Sequence, residues 1–214
     1  MKKAIFIILM FTAVASFAQN EKYTAAMQSK LEGYKTAQTP QDFLDLSNAF
    51  ERIAEAEKTQ WLAYYYAAHA QVIYGFMLSQ KDPSGLDPVA DKAEQLINKA
   101  DALEKNNSEI SCVKSMIATL RMSVNPMQRW QQYGPISAEN ITNAKQQDPG
   151  NPRPYALEAQ NLFYTPAQFG GGCATAKPIA EQGMKLLEAF KPKSSLHPVW
   201  GKMQFDMVMG GCNK

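Results

Sequence analysis

Four stretches of the chain share one plan: ERIAEAEKTQWLAYYYAA at Glu51–Ala68, ADALEKNNSEISCVKSM at Ala100–Met116, NAKQQDPGNPRPYALEA at Asn143–Ala159 and KLLEAFKPKSSLHPVWG at Lys185–Gly201. Each begins as the end of an alanine-containing helix, passes a polar or proline break, and opens a new apolar or aromatic helix. The breaks return about every 45 residues, a period expected of stacked helical hairpins rather than of one closed bundle. No run alternates Val, Ile and Thr with polar residues, so no sheet is expected. The reading is all-α: stacked antiparallel helical hairpins forming an irregular α-solenoid, one domain over residues 19–214.

Working outward, Thr39-Pro40-Gln41-Asp42 is a helix start. Threonine caps, proline loses no bond in the first turn, and the carboxylate suits the helix dipole. Phe43, Leu46, Phe50 and Ile53 then follow at helical spacing. Asp87-Pro88 repeats the cap-and-proline signal. Asn125–Pro135 (NPMQRWQQYGP) reads as an insertion, one short turn carrying Trp130 and Tyr133, before Ser137 caps a helix to Gln147. Gly170-Gly171-Gly172 precedes a helix over about residues 174–190, with Pro178 expected in its first turn. The last helix is expected to begin at Pro198 and run to about Met209.

The N-terminus carries an address. Lys2 and Lys3 precede about fourteen apolar residues, too few to span a bilayer comfortably. Ser16-Phe17-Ala18 then places small residues where a signal peptidase reads. Residues 1–18 are expected to be a cleavable signal peptide, with a periplasmic or secreted product starting at Gln19. No later segment is apolar for long enough to insert stably in a membrane. The formal net charge of +2 includes Lys2 and Lys3, so the mature side chains balance, and nucleic acid is not an expected partner.

The hairpins resemble tetratricopeptide repeats. Ala180, Met184, Leu187 and Pro192 fall at that family's small, large, small and proline positions. Ala144 with Pro149, and Ala93, Ile97 and Ala100, match parts of the same pattern, while Trp61 and Trp200 sit near the aromatic opening of a first helix. The resemblance implies a protein or peptide bound on a concave face lined by the first helix of each pair, and no catalysis.

No metal site, phosphate loop or nucleophile motif is readable. Lys177 lies between Ala176 and Pro178 rather than in a phosphate-loop context. The histidines are two, His69 in an aromatic stretch and His197 beside Pro198, and a zinc site would want three or four ligands in recognisable spacing. No cofactor and no enzymatic activity are expected. Cys173 and Cys212 each follow a glycine pair and are expected to bridge in an oxidising compartment, whereas Cys112 lies on an apolar stripe and reads as buried and free.

Trp61, Tyr64, Tyr65, Trp130 and Tyr133 form the candidate binding surface, since tyrosine and tryptophan combine an apolar body with a polar tip. Tyr64 and Tyr66 point about 200° apart on a helix, so part of this cluster must be core. The leading expectation is an exported, non-enzymatic scaffold for a protein or peptide in the cell envelope. The alternative is a small-ligand-binding helical domain with an aromatic pocket. A closed pocket lined by Tyr64–Tyr66 favours the alternative, and an open groove favours the scaffold.

Overall fold

A computed structural model of the chain describes residues 21–213; the expected leader and the Ala18–Gln19 bond lie outside them. The described residues form α1 (21–36), α2 (Pro40–Glu57), α3 (Trp61–Ser79), α4 (Leu86–Leu103), α5 (Ser108–Ser123), α6 (Pro126–Gln147), α7 (Arg153–Tyr164), α8 (Cys173–Ala189) and α9 (Lys202–Cys212). No strand occurs among them. The fold is all-α, as expected.

Local chemistry accounts for several boundaries. Thr39 Oγ1 accepts from the Asp42 amide at 3.2 Å, and Asp42 Oδ2 accepts from the Thr39 amide at 2.8 Å, a reciprocal capping box. The Gln38 and Thr39 amides and the Thr39 hydroxyl hold the Asp42 carboxyl below its ordinary value. Asp87 departs from its expected capping role. The helix already starts at Leu86, and Asp87 instead takes a forked bond from Arg129, with Nη1 at 2.6 Å and Nη2 at 2.8 Å.

Prolines explain where expectation and structure part. The Asn125–Pro135 insertion is no separate turn: α6 runs unbroken from Pro126 to Gln147 with Pro135 inside it. Proline removes one bond to the carbonyl four residues earlier, here Gln131, which is exposed and can be hydrated. Pro178 is likewise the sixth residue of α8, not part of its first turn, and the carbonyl it frees belongs to exposed Ala174. The last helix starts at Lys202 instead of Pro198, after Gly201 at φ 123°. Residues 190–201 thus form an irregular strap between α8 and α9.

From α2 onward each helix packs on its neighbour in sequence, α3 also touches α5, α5 touches α7 and α7 touches α9, while Tyr34 of α1 meets Phe43 of α2 edge-on. A large apolar cluster joins α1 to α6, and a smaller one around Ala156, Ala180, Phe205 and Val208 joins α7, α8 and α9. The smaller cluster depends on a close approach at Gly183. A Cβ there would meet Phe205 Cε1 at 2.5 Å and Tyr155 Cβ at 2.8 Å. Gly183→Ala is therefore expected to overpack the α7–α8–α9 contact and cost about 1–3 kcal/mol. An unchanged urea midpoint would count against this packing.

The expected disulfide is present: Cys173 and Cys212 are bridged, with Cα atoms 5.3 Å apart, and Cys112 is free and buried. The bridge ties the start of α8 to the end of α9.

Candidate functional site

The tyrosines singled out on α3 are interior residues. Tyr65 is fully buried, and Tyr64 and Tyr66 are nearly so. The reason is the position of α3, packed by α2, α4 and α5, so that few of its faces are left to water. Tyr64 donates to Glu55 Oε1 at 3.2 Å. Tyr65 accepts from Trp200 Nε1 at 2.7 Å and points its hydroxyl at Glu109 Oε2, 3.5 Å away. Burial first, and Glu109 second, push the Tyr65 phenol well above its ordinary value. Trp61 is half-buried at the edge of the core, with its ring set edge-on to Tyr65. Tyr64 and Tyr65 thus sit in the core rather than on the surface.

The face lined by the first helix of each pair is also taken. The strap 190–201 crosses α1, α3, α5 and α7. Ser195 Oγ accepts from Gln28 at 3.3 Å, the Leu196 carbonyl from Tyr66 at 2.9 Å, and the Trp200 ring stacks near His69 at 5.0 Å. His197 lies 3.8 Å from Glu109, and the Phe190 ring lies under the Arg153 guanidinium at 4.4 Å. Among the described residues, the chain's own strap therefore crosses the face on which a foreign peptide was expected.

Beneath the strap is a buried charged pair. Arg153 Nε lies 2.7 Å from each Glu109 oxygen, and Nη2 lies 2.5 Å from Oε1. Asn151 adds a donor to Glu109 at 2.8 Å and, just before α7, accepts from the Arg153 amide at 2.9 Å. Burial opposes the guanidinium charge, and the Glu109 carboxylate overcomes it. Both histidines adjoin this cluster and stay neutral. Burial and then Arg153 lower His69 to about 3 and His197 to about 4. His69 Nδ1 is engaged by the Tyr34 hydroxyl, while its Nε2 has no partner.

An accessible concavity lies elsewhere, between α4 and α6 above α5, with a volume of about 230 Å³. The α5 stripe Lys114, Ile117, Ala118 and Arg121 forms its base at spacings of three and four, on a face roughly opposite Glu109. Glu94, Ile97 and Asn98 of α4 form one wall; Tyr133, Ile136 and Asn140 of α6 form the other. The long α6 creates this wall, so the helix continuity through Pro135 is what places Tyr133 beside the core. Ser115 and Ser137, bonded at 2.8 Å, set the register of α5 on α6. Ile136 is 41% exposed, and Trp130, earlier on the same helix, is 52% exposed.

Of the five aromatic candidates, the structure therefore brings only Tyr133 into this groove, leaves Trp130 exposed on the same helix, and turns Tyr64 and Tyr65 inward. Lys114, Arg121 and Ile136 were not singled out from the sequence. For Lys114 and Arg121 the signal was the mixed cationic and apolar stripe of α5, which reads as an ordinary helix face until α4 and α6 flank it. Among the described residues no group of three or more His, Cys, Asp or Glu could hold a metal ion.

No family model matches the sequence, and no curated protein matches it either. The chain is similar to a solved structure, that of the HusA haemophore from Porphyromonas gingivalis, with 37% identity and a TM-score of 0.80. The match covers 89% of this chain and 92% of the haemophore. With that identity sustained across nearly all of both chains, the protein belongs to the family of the HusA haemophore.

Proposed function

We propose that the mature chain is an exported carrier of haem or a closely related porphyrin, held by the α4–α5–α6 groove. The observation that carries this reading is the 37% identity, over most of both chains, to a haemophore. Three features of the chain agree with it. The leader expected from the sequence would send the protein to where free haem is met, and no described helix is long and apolar enough to cross a membrane. The groove offers exposed Ile136 to a flat apolar ring, beside nearly buried Ile117, and polar groups at its ends. Its opening is shallow, so a macrocycle would seat one edge and leave the other reachable by the next acceptor.

Histidine does not supply the contact in this arrangement, since His69 is buried beneath the strap and His197 is buried within it, away from the groove. Recognition rests on the ring's apolar surface against exposed Ile136 and the neighbouring Tyr133, above Ile117 and Ala118, which are nearly buried. The test is an absorbance titration of mature protein with ferric haem, following the Soret band, for the natural chain and Ile136→Asp. Ile136 is exposed enough for the variant to fold, and a carboxylate there removes apolar contact and repels the ligand's propionates. Affinity is expected to fall about tenfold or more. An absent Soret change, or equal affinity in the variant, would refute the assignment.

A further inference from the structure

The groove is not electrically uniform along its length. At one end, a single carboxylate faces two cations: Asp101 Oδ2 lies 3.1 Å from Lys105 Nζ and 3.3 Å from Lys114 Nζ. At the other, a single cation faces two carboxylates: Arg121 Nη2 lies 2.7 Å from Asp91 Oδ1 and 2.8 Å from Glu94 Oε2. Lys114 and Arg121 are seven residues apart on α5, about 10 Å along its axis. Antiparallel packing brings Asn98 of α4 and Asn140 of α6 to the Lys114 end, adding uncharged polar groups there. Between the two ends Ile136 is exposed, beside Ile97 and Ile117, which are buried in the core.

We infer that Lys114 receives the carboxylate edge of the ligand, so that the groove accepts an amphipathic ring acid in one direction only. This rests on the porphyrin reading above and adds the orientation and the group that sets it. Lys114 can change partners at little cost. Its contact with Asp101 is the longer of the two, its side chain is 31% exposed, and Asp101 keeps Lys105 one helical turn away. Arg121 cannot do the same, because a ligand carboxylate would join two already present and be repelled. A ring with both carboxylates on one edge therefore places that edge at Lys114 and its apolar edge toward Tyr133.

The test uses two probes, metal-free protoporphyrin IX and its dimethyl ester, titrated by tryptophan quenching into mature protein, Lys114→Gln and Asp101→Asn. Lys114→Gln is expected to weaken the diacid about fivefold while changing the diester by less than about twofold. Asp101→Asn frees Lys114 and is expected to tighten the diacid about twofold. Equal diacid affinity in Lys114→Gln and the natural chain would overturn the orientation and leave the porphyrin reading standing. Failure of the natural chain to bind either probe would sink that reading, and the orientation with it. Circular dichroism of each variant separates misfolding from lost binding, and a misfolded Lys114→Gln is replaced by Lys114→Met, for which the same outcomes apply.

Discussion

Replacing Arg153 with leucine is expected to destabilise the protein by about 3–5 kcal/mol, because it strands a buried carboxylate. Arg153 is wholly buried and Glu109 is 3% exposed, so water cannot replace the lost guanidinium. Asn151 and Tyr65 would remain as donors to Glu109, but neither carries charge. Burial already pulls the Glu109 carboxyl above its ordinary value, with Arg153 opposing that pull. Without Arg153 the rise should be larger, so the penalty should shrink as pH falls and Glu109 takes up a proton. The double variant Glu109→Leu with Arg153→Leu should recover much of the loss, since removing both charges leaves none buried. Urea unfolding of the three proteins at neutral pH checks this. A single variant within about 1 kcal/mol of the natural chain would show that the pair is not the keystone under the strap.

The disulfide should matter about as much. Its bridge closes a loop of about 40 residues, and in the chain-entropy model removing it costs about 4 kcal/mol. Cys173→Ser with Cys212→Ser should therefore lower stability by that order and loosen α9, whose Phe205 and Val208 otherwise sit fully buried against α7 and α8. Thiol titration provides the independent check. The natural protein unfolded without reductant should expose one thiol, Cys112, and reductant should raise the titre to three. Three thiols without reductant would contradict the bridge.

The Gly-Gly-Cys contexts and an oxidising destination were enough to anticipate that pairing, because bridge geometry and compartment are constraints that act on few residues. The strap was harder. Lys185–Gly201 carries two prolines, two serines and a lysine-rich break, a composition that reads as solvent-exposed connection. Yet Leu196 and His197 are buried, because their partners Tyr66 and Glu109 lie more than 80 residues away along the chain. Glu109 and Arg153 were illegible for the same reason. Each resembles a surface charge until the two meet across 44 residues of sequence.

What the sequence by itself determined is the part governed by neighbours three or four residues apart. The all-α class, the cap at Thr39 and Asp42, and the apolar stripes all follow from helical periodicity and backbone donors left free at helix ends. Only the tertiary structure decided which faces of those helices would meet water. It turned Tyr64 and Tyr65 inward by surrounding α3, filled the concave face with residues 190–201, and left Tyr133, Ile136 and Lys114 around a groove that no local pattern announces. The physical reason is that burial is a property of the packed assembly. A helix stripe specifies that something must cover it, while the identity of the cover depends on contacts far apart in the chain.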